Sequence, residues 1–505
     1  MVEYIPVGFC PQNLGFGSAI MEKKLIYDIG DKPKFGQMLI FALQQVLAIL
    51  AATIAVPTII GLPAQIPAAI LGAGIGTLVY QLFTKFKSPV FLGSSFAFLS
   101  SLGVALAYGY CGILLGSVVA GLVYVVIAVL IHFTGTAWVD KLMPPVIIGP
   151  TVALIGLTLA VNAMGDIVTA NASTLYGKYN LVSLLCGLVA FFVIVICSTQ
   201  KRVRMARLIP FIIGIAAGYV VAAVFTFIGM ATDADYLMII NFQPIIDNFV
   251  AADGSFRGLS AFLGCPDIAL VEAIKELVTG EISQNILDAN EGAKLIDAGG
   301  IVEVIVAFLP VAMVVFAEHI ADHKNLSSII GRDLIKEPGL KRTLLGDGVG
   351  SIAGTLLGIC PNTTYGEAVG CVAITRNASV ATITTTAIMC IALSFVSPLM
   401  AILRTIPSCV MGGVCLTLYG FIAVSGLKMF KDLDLDNNKN LFVVASILIS
   451  GIGGLAIQIP YAVAETGEIT GFIKITSIAT ALIIGIVTNA VLTKVENSRL
   501  GKEKE

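Results

Sequence analysis

Glu318, Asp322 and Glu367 are the side chains of this chain best placed to do chemistry, because each carboxylate adjoins a long apolar stretch. The first two lie in Phe316-Ala317-Glu318-His319-Ile320-Ala321-Asp322-His323, at the end of one such stretch. Glu367 closes Pro361-Asn362-Thr363-Thr364-Tyr365-Gly366-Glu367, which leads straight into another, Ala368 to Ile374. Two of the three histidines, His319 and His323, stand beside the first pair. Ionisable groups inside a membrane are costly and read by default as functional. Asp322 follows Glu318 by four residues, so the two share a helix face. Both cannot ionise cheaply in a low dielectric, so one of them holds a proton near neutral pH, as proton coupling requires. His319 and His323 form a second pair at the same spacing, rotated by about 100°. Two plainer readings stand beside these. Glu318 and Glu367 could anchor broken helices through backbone hydrogen bonds, and His323, next to Lys324, could be a simple interface residue.

The elements that must position these groups are membrane spans. Of the 505 residues, 57% are hydrophobic and only 12% charged, about half the charged fraction of soluble domains. Mean hydropathy is +0.95. The apolar residues collect in runs of about 17–25, the length that crosses a bilayer core. The chain therefore reads as an all-α polytopic membrane protein. The length rule gives fourteen segments, at 37–56, 68–84, 94–107, 111–133, 145–165, 181–199 and 208–229, then 301–321, 343–358, 366–378, 380–403, 408–425, 441–458 and 472–493. Lys85, Lys87, Lys141, Lys201, Arg202, Arg204 and Arg207 follow even-numbered segments, as do Lys324, Arg332, Lys336, Lys341, Arg342, Lys428, Lys431 and the basic tail. Alternation then puts them all on one side, which places both termini in the cytoplasm of a cell-membrane protein. No cleavable signal is apparent before the first segment, and Met21-Glu22-Lys23-Lys24 would make a natural start.

Seven plus seven segments imply an inverted repeat. The third segment of each half is interrupted: Pro89-Val90-Phe91-Leu92-Gly93-Ser94-Ser95-Phe96-Ala97-Phe98 in one, Cys360-Pro361-Asn362-Thr363-Thr364-Tyr365-Gly366-Glu367 in the other. Matching interrupted segments are the best sequence pointer to a transporter's binding site. The expectation is short strands and half-helices at segments 3 and 10. A half-helix start offers unpaired N–H groups at the positive end of its dipole. Such ends at Phe96 and Gly366 would donate to carbonyl oxygens, while Glu318 and Glu367 accept from ring N–H groups. The ligand this suits is a small planar neutral ring with alternating N–H and C=O groups. The rings of Phe96, Tyr365 or Tyr419 could stack on it.

Other features point to less. The ten cysteines are scattered with no CxxC pair, so they read as small buried hydrophobes. The histidines and carboxylates do not follow HExxH spacing and have no thiolate near them, so no metal site is indicated. His132 ends segment 4 alone and reads as interfacial. Asp432, Asp434 and Asp436 lack the glycine and terminal glutamate of a calcium loop and read as a solvated turn. The connection 230–300 carries eleven acidic and three basic residues. Within it, Asp267 to Val278 has amphipathic spacing, with Ile268, Val271, Ile274 and Leu277 on one side, the pattern of a cap lying on the bundle.

At these residues the chain resembles the nucleobase–ascorbate transporter family, its bacterial uracil permease branch in particular. The motifs are AEHI at 317–320, GRDLIKEPGLKRTLLGDG at 331–348, PNTTYGEAVGCVAITR at 361–376, LGSSFAF at 92–98, MGGVCLTLYG at 411–420 and LQQVLAILAATIAVP at 43–57. The resemblance implies a core domain (36–140 and 301–404), a gate domain (141–230 and 405–493), an extracytoplasmic loop (231–300) and cytoplasmic tails (1–35 and 494–505). It implies nucleobase uptake coupled to H+, with no other cofactor, by core-against-gate movement, often in a homodimer. By position, Glu318 and Glu367 match the base-holding carboxylates, and the N–H groups of Phe96 and Gly366 match the carbonyl donors. Ser95, Tyr365 and Tyr419 match pocket residues, and the coupling proton falls to Glu318, Asp322 and His323. Three positions depart from the family pattern. Ala368 stands where Asn is usual, Gln45 where His is usual, and Asp322 where the uracil branch commonly has His. The expected function is uracil–proton symport. A xanthine or purine permease is the alternative within the family, and a passive channel or anion exchanger of related fold is the alternative outside it. No nucleophile–base pair suggests an enzyme.

Overall fold

Several helix starts in this chain fall where a cap or a proline allows them. The computed structural model describes residues 25–169, 179–200, 202–251, 253–463 and 469–502. The candidate start at Met21, with Lys201 and Lys504, lies outside the described residues. The first span, α1 (Phe35–Ile59), stops ahead of Gly61, whose φ of +82° suits glycine. Pro67 opens the first turn of α2 (Ile66–Phe83). The strand β1 (Leu92–Ser94) and a 3₁₀ turn at Phe96–Phe98 lead into the half-length α3 (Leu99–Leu106). Then come α4 (Gly109–Thr134), the short α5 (Ala137–Leu142), α6 (Pro145–Val168), α7 (Leu181–Thr199), the short α8 (Arg204–Leu208) and α9 (Pro210–Thr232). Asn180 caps α7, its Oδ1 accepting the N–H groups of Val182 and Ser183. The long connection folds into α10 (Gln243–Phe249), α11 (Ala269–Thr279) and α12 (Gln284–Ala289).

The second half opens with α13 (Ala298–Ile330), capped by Asp297 and closed at Gly331, φ +69°. It continues through α14 (Leu340–Leu357), β2 (Asn362–Thr364), the half-length α15 (Gly366–Thr375), α16 (Val380–Ser394), α17 (Ser397–Arg404), α18 (Ser408–Lys428) and α19 (Asn438–Ile452). Two strands, β3 (Ile457–Val463) and β4 (Ile469–Ile475), form a hairpin before α20 (Ser477–Lys502). Among the described residues, nine helices are long and apolar enough to cross a membrane, four more are shorter and apolar, and α14 completes the set. These correspond in order to the expected segments, with half-helices and strands at the third and tenth.

Several boundaries differ from the sequence reading, among them the end of the last segment, which runs to Lys502 rather than 493. Segment 8 runs nine residues beyond the expected 321, to Ile330, so His323 is buried inside the helix rather than at its edge. Segment 11 is two helices, because Pro398 sits in a new first turn at Ser397. Segments 13 and 14 are shortened at their facing ends by the β3–β4 hairpin. Its Ile-Gln-Ile and Ile-Lys-Ile alternation is a period-two signal that an apolar-run count ignores.

In one set of helices, α2 packs on both α14 and α16, α14 on α4, and α13 on α4. In the remainder, α18 packs on α6 and α7, α7 on α9, and α19 on α20. The α2–α14 crossing is a backbone contact: a Cβ added to Gly72 would stand 2.3 Å from the Gly354 carbonyl. In lipid, where apolar burial does not drive helices together, such close approach is what binds them.

Candidate functional site

Two three-residue strands hold the site together. β1 and β2 pair antiparallel, with Leu92 opposite Thr364, Gly93 opposite Thr363 and Ser94 opposite Asn362. The ladder is extended by Ser95 N–H to the Pro361 carbonyl (2.9 Å) and Tyr365 N–H to the Phe91 carbonyl (3.2 Å). Backbone that leaves a helix within a membrane must find partners in protein, and here each broken span satisfies the other. The chain turns helical immediately after each strand, at Phe96 and at Gly366. Both starts, with their free N–H groups, therefore stand at the two ends of one small ladder.

The carboxylates gather around the Gly366 end. Glu367 lies in the first turn of α15, where the helix dipole favours a negative charge. Asp322 Oδ2 accepts the Thr364 hydroxyl at 2.6 Å, which ties α13 to the strand just before Gly366. A Cβ built on Gly366 would meet a single heavy atom within 4 Å, Asp322 Oδ1 at 3.9 Å, so the space in front of this glycine is open. Glu318 Oε2 is enclosed and has no hydrogen-bond partner among the described residues. Glu318 stands one helical turn before Asp322 on α13.

The histidines lie behind this cluster. His323 Nδ1 is 2.8 Å from the His319 carbonyl, and because a carbonyl only accepts, Nδ1 carries the proton. Its Nε2 is 2.8 Å from the Tyr80 hydroxyl, which is itself 2.8 Å from Ser88 Oγ. Both nitrogens are thus occupied, and neither meets a carboxylate. His323, expected to share in proton coupling, is linked to the Tyr80–Ser88 pair. His319 stacks on His323 with ring centroids 4.1 Å apart. Its Nδ1 lies 2.6 Å from Asp347 Oδ2 and its Nε2 3.0 Å from Thr343 Oγ1. Thr343 donates its proton to the Leu340 carbonyl, so Nε2–H donates to Thr343 and the Nδ1–Asp347 contact holds one shared proton. Sequence reasoning missed Asp347, although a carboxylate within an apolar segment was a readable signal. The hydroxyl partners Thr343, Thr364, Tyr80 and Ser88 carry no such signal.

The aromatic residues divide. The Phe96 and Tyr419 rings meet edge to face at 5.4 Å, and the Tyr419 hydroxyl is enclosed without a partner among the described residues. Tyr365 instead lies on the ladder: a Cβ on Gly93 would stand 2.3 Å from its ring, and its hydroxyl donates to the Ser94 carbonyl at 3.1 Å. That contact braces the strands. Ser94 Oγ, Ser95 Oγ and Thr363 Oγ1, all at the ladder, are enclosed and likewise unpartnered among the described residues. Buried polar atoms are normally satisfied, so such a group is where a polar ligand or water is accommodated.

Comparison with known proteins gives a consistent result. The sequence pattern of a permease family, Xan_ur_permease, matches residues 36–459. The chain is 36% identical over 473 residues to the uracil permease of Bacillus caldolyticus, covering 93% of this chain and 95% of that protein. It is 34% identical over 481 residues to the uracil permease of Bacillus subtilis (strain 168), covering 95% and 98%. Against the uracil permease of Escherichia coli (strain K12) it is 32% identical over 463 residues, covering 91% and 92%. Two solved structures share the fold at low identity. The transmembrane domain of the cyanobacterium bicarbonate transporter BicA has a TM-score of 0.50 at 14% identity, covering 92% of this chain and all of that one. The murine anion transporter Slc26a9, in its inward-facing state, has a TM-score of 0.59 at 11% identity, covering 92% and 69%. Both have the seven-plus-seven inverted-repeat architecture.

Proposed function

The chain belongs to the nucleobase–ascorbate transporter family, and from that premise we propose that it imports a nucleobase, uracil foremost, by proton symport. Glu318 and Glu367 accept the ring N–H groups. The N–H groups at Phe96 and Gly366 donate to the ring carbonyls, and Phe96 and Tyr419 border the ring. Asp322 shares the coupling proton with Glu318, close to the open space before Gly366. The observation that supports this reading is the β1–β2 ladder, which ties the two half-helix starts into one unit, with Asp322 and Glu367 at its Gly366 end. Uptake proceeds by movement of the core helices (segments 1–4 and 8–11) against the gate helices (5–7 and 12–14), in a homodimer. Both termini face the cytoplasm, as the positions of Lys and Arg support.

Uptake of labelled uracil in competition with a panel of bases, with and without a protonophore, tests this. Unlabelled uracil should compete best and the protonophore should abolish accumulation. Stronger competition by xanthine, or accumulation indifferent to the protonophore, would overturn the substrate or the coupling respectively.

A further inference from the structure

The helix α11 divides its circumference into three sectors, taken at about 100° per residue. Ala269, Ala273 and Glu276 form a buried sector, Glu276 being 1% exposed. Its Oε2 accepts the Tyr110 N–H at 2.9 Å and its Oε1 the Ser283 N–H at 3.1 Å, while Cys111 Sγ donates to the Ala273 carbonyl at 3.5 Å. Tyr110 is in the first turn of α4, where N–H groups lack helical partners. Glu276 is therefore a cap supplied to a membrane span by another element, and it fixes α11 at the level where that span ends. The expectation from spacing was that the side carrying Ile268, Val271, Ile274 and Leu277 would lie on the bundle. The structure turns Val271, Ile274 and Leu277 away, because the buried sector is the one carrying the capping carboxylate.

The second sector is apolar and uncovered: Leu270 is 39% exposed, Val271 44%, Ile274 52%, Leu277 63% and Val278 80%. The third is polar, with Lys275 Nζ 2.6 Å from Glu272 Oε1 and Thr279 beside them. The two exposed sectors do not mix. The same end of α4 is joined to the first turns of the span α13, where Tyr108 donates to Glu303 Oε2 at 2.5 Å. Ile301 and Val302 are exposed apolar residues in those turns. A second copy of the chain fits this face poorly. An eleven-residue helix is about 16 Å long, and one face of it falls well short of the roughly 800 Å² per partner of a standard interface.

We propose that α11 is an interfacial helix whose Leu270, Val271, Ile274, Leu277 and Val278 enter the boundary between lipid headgroups and acyl chains, anchoring the Gly109 end of α4 to the bilayer surface. Its polar sector faces water, as in helices that lie in the membrane plane. The inference rests on α4 being a membrane span and not on the identity of the substrate.

The test uses the full-length chain, which has one tryptophan, Trp138. In a Trp138→Phe background, Val278→Trp and Lys275→Trp are made separately. Each is reconstituted in phosphatidylcholine vesicles, with and without bromine on the acyl chains and with iodide on both sides. Brominated lipid should remove most of the V278W emission while iodide leaves it largely intact, and K275W should show the reverse. Quenching of V278W by iodide to the extent seen for K275W would overturn the proposal in favour of a water-facing helix. Protection of V278W from both quenchers would overturn it in favour of a protein-covered face.

Discussion

Asp347 and His319 show how much this site depends on paired buried groups. Both are fully enclosed, and their 2.6 Å contact is the only partner of Asp347's carboxylate among the described residues. Removing one member of a buried pair leaves the other uncompensated, at about 3–5 kcal/mol. Asp347→Ala should therefore lower the melting temperature of the detergent-purified protein sharply. Tyr80→Phe, which deletes hydrogen bonds to His323 and Ser88, should cost about 0.5–1.5 kcal/mol for each bond lost. Equal melting shifts in the two variants would contradict this ranking. Glu318, Asp322 and Glu367 were legible in the sequence because charge is scarce among apolar runs. The actual surroundings of His323 were not, since its partner Tyr80 is 243 positions away and hydroxyl contacts leave no periodic trace.

At the scale of elements, the strand pair and the half-helices do the positioning, and two glycines separate its consequences. Gly93 has the Tyr365 ring pressed against it, whereas Gly366 faces open space. Gly93→Ala should displace the ring and cost about 1–3 kcal/mol, as overpacking does, lowering thermal stability. Gly366→Ala should leave stability nearly unchanged and raise the KM for uptake, because the methyl group enters the space before the α15 N–H groups. Similar losses of stability in both variants would count against an open Gly366 face. The matching interruptions at Pro89–Phe96 and Cys360–Gly366 foretold both broken spans, because proline, glycine and serine at that depth have few other uses. The β3–β4 hairpin escaped because apolar strands and apolar helix ends read alike when only run length is counted.

For the whole molecule, fourteen segments and one-sided Lys and Arg residues make a statement about topology. An alkaline phosphatase fusion placed after the last residue should be inactive, and one placed near Gly254 active, since the enzyme works only outside the cytoplasm. Activity at the C-terminus would reverse the proposed orientation. The internal repeat was legible from the count and from the paired interruptions. The way the acidic connection folds back onto α4 was not, since a buried carboxylate on an amphipathic helix inverts the face that spacing alone selects.

The central claim is that Glu318 and Glu367 hold the ring of a nucleobase between two half-helix starts. Equilibrium binding of labelled uracil to the purified protein, compared with Glu318→Gln and Glu367→Gln, tests it most directly. A hydrogen bond to a charged group contributes about 1.5–3 kcal/mol, so each variant should bind at least about tenfold more weakly while melting at the wild-type temperature. Unchanged affinity in both variants would contradict the claim.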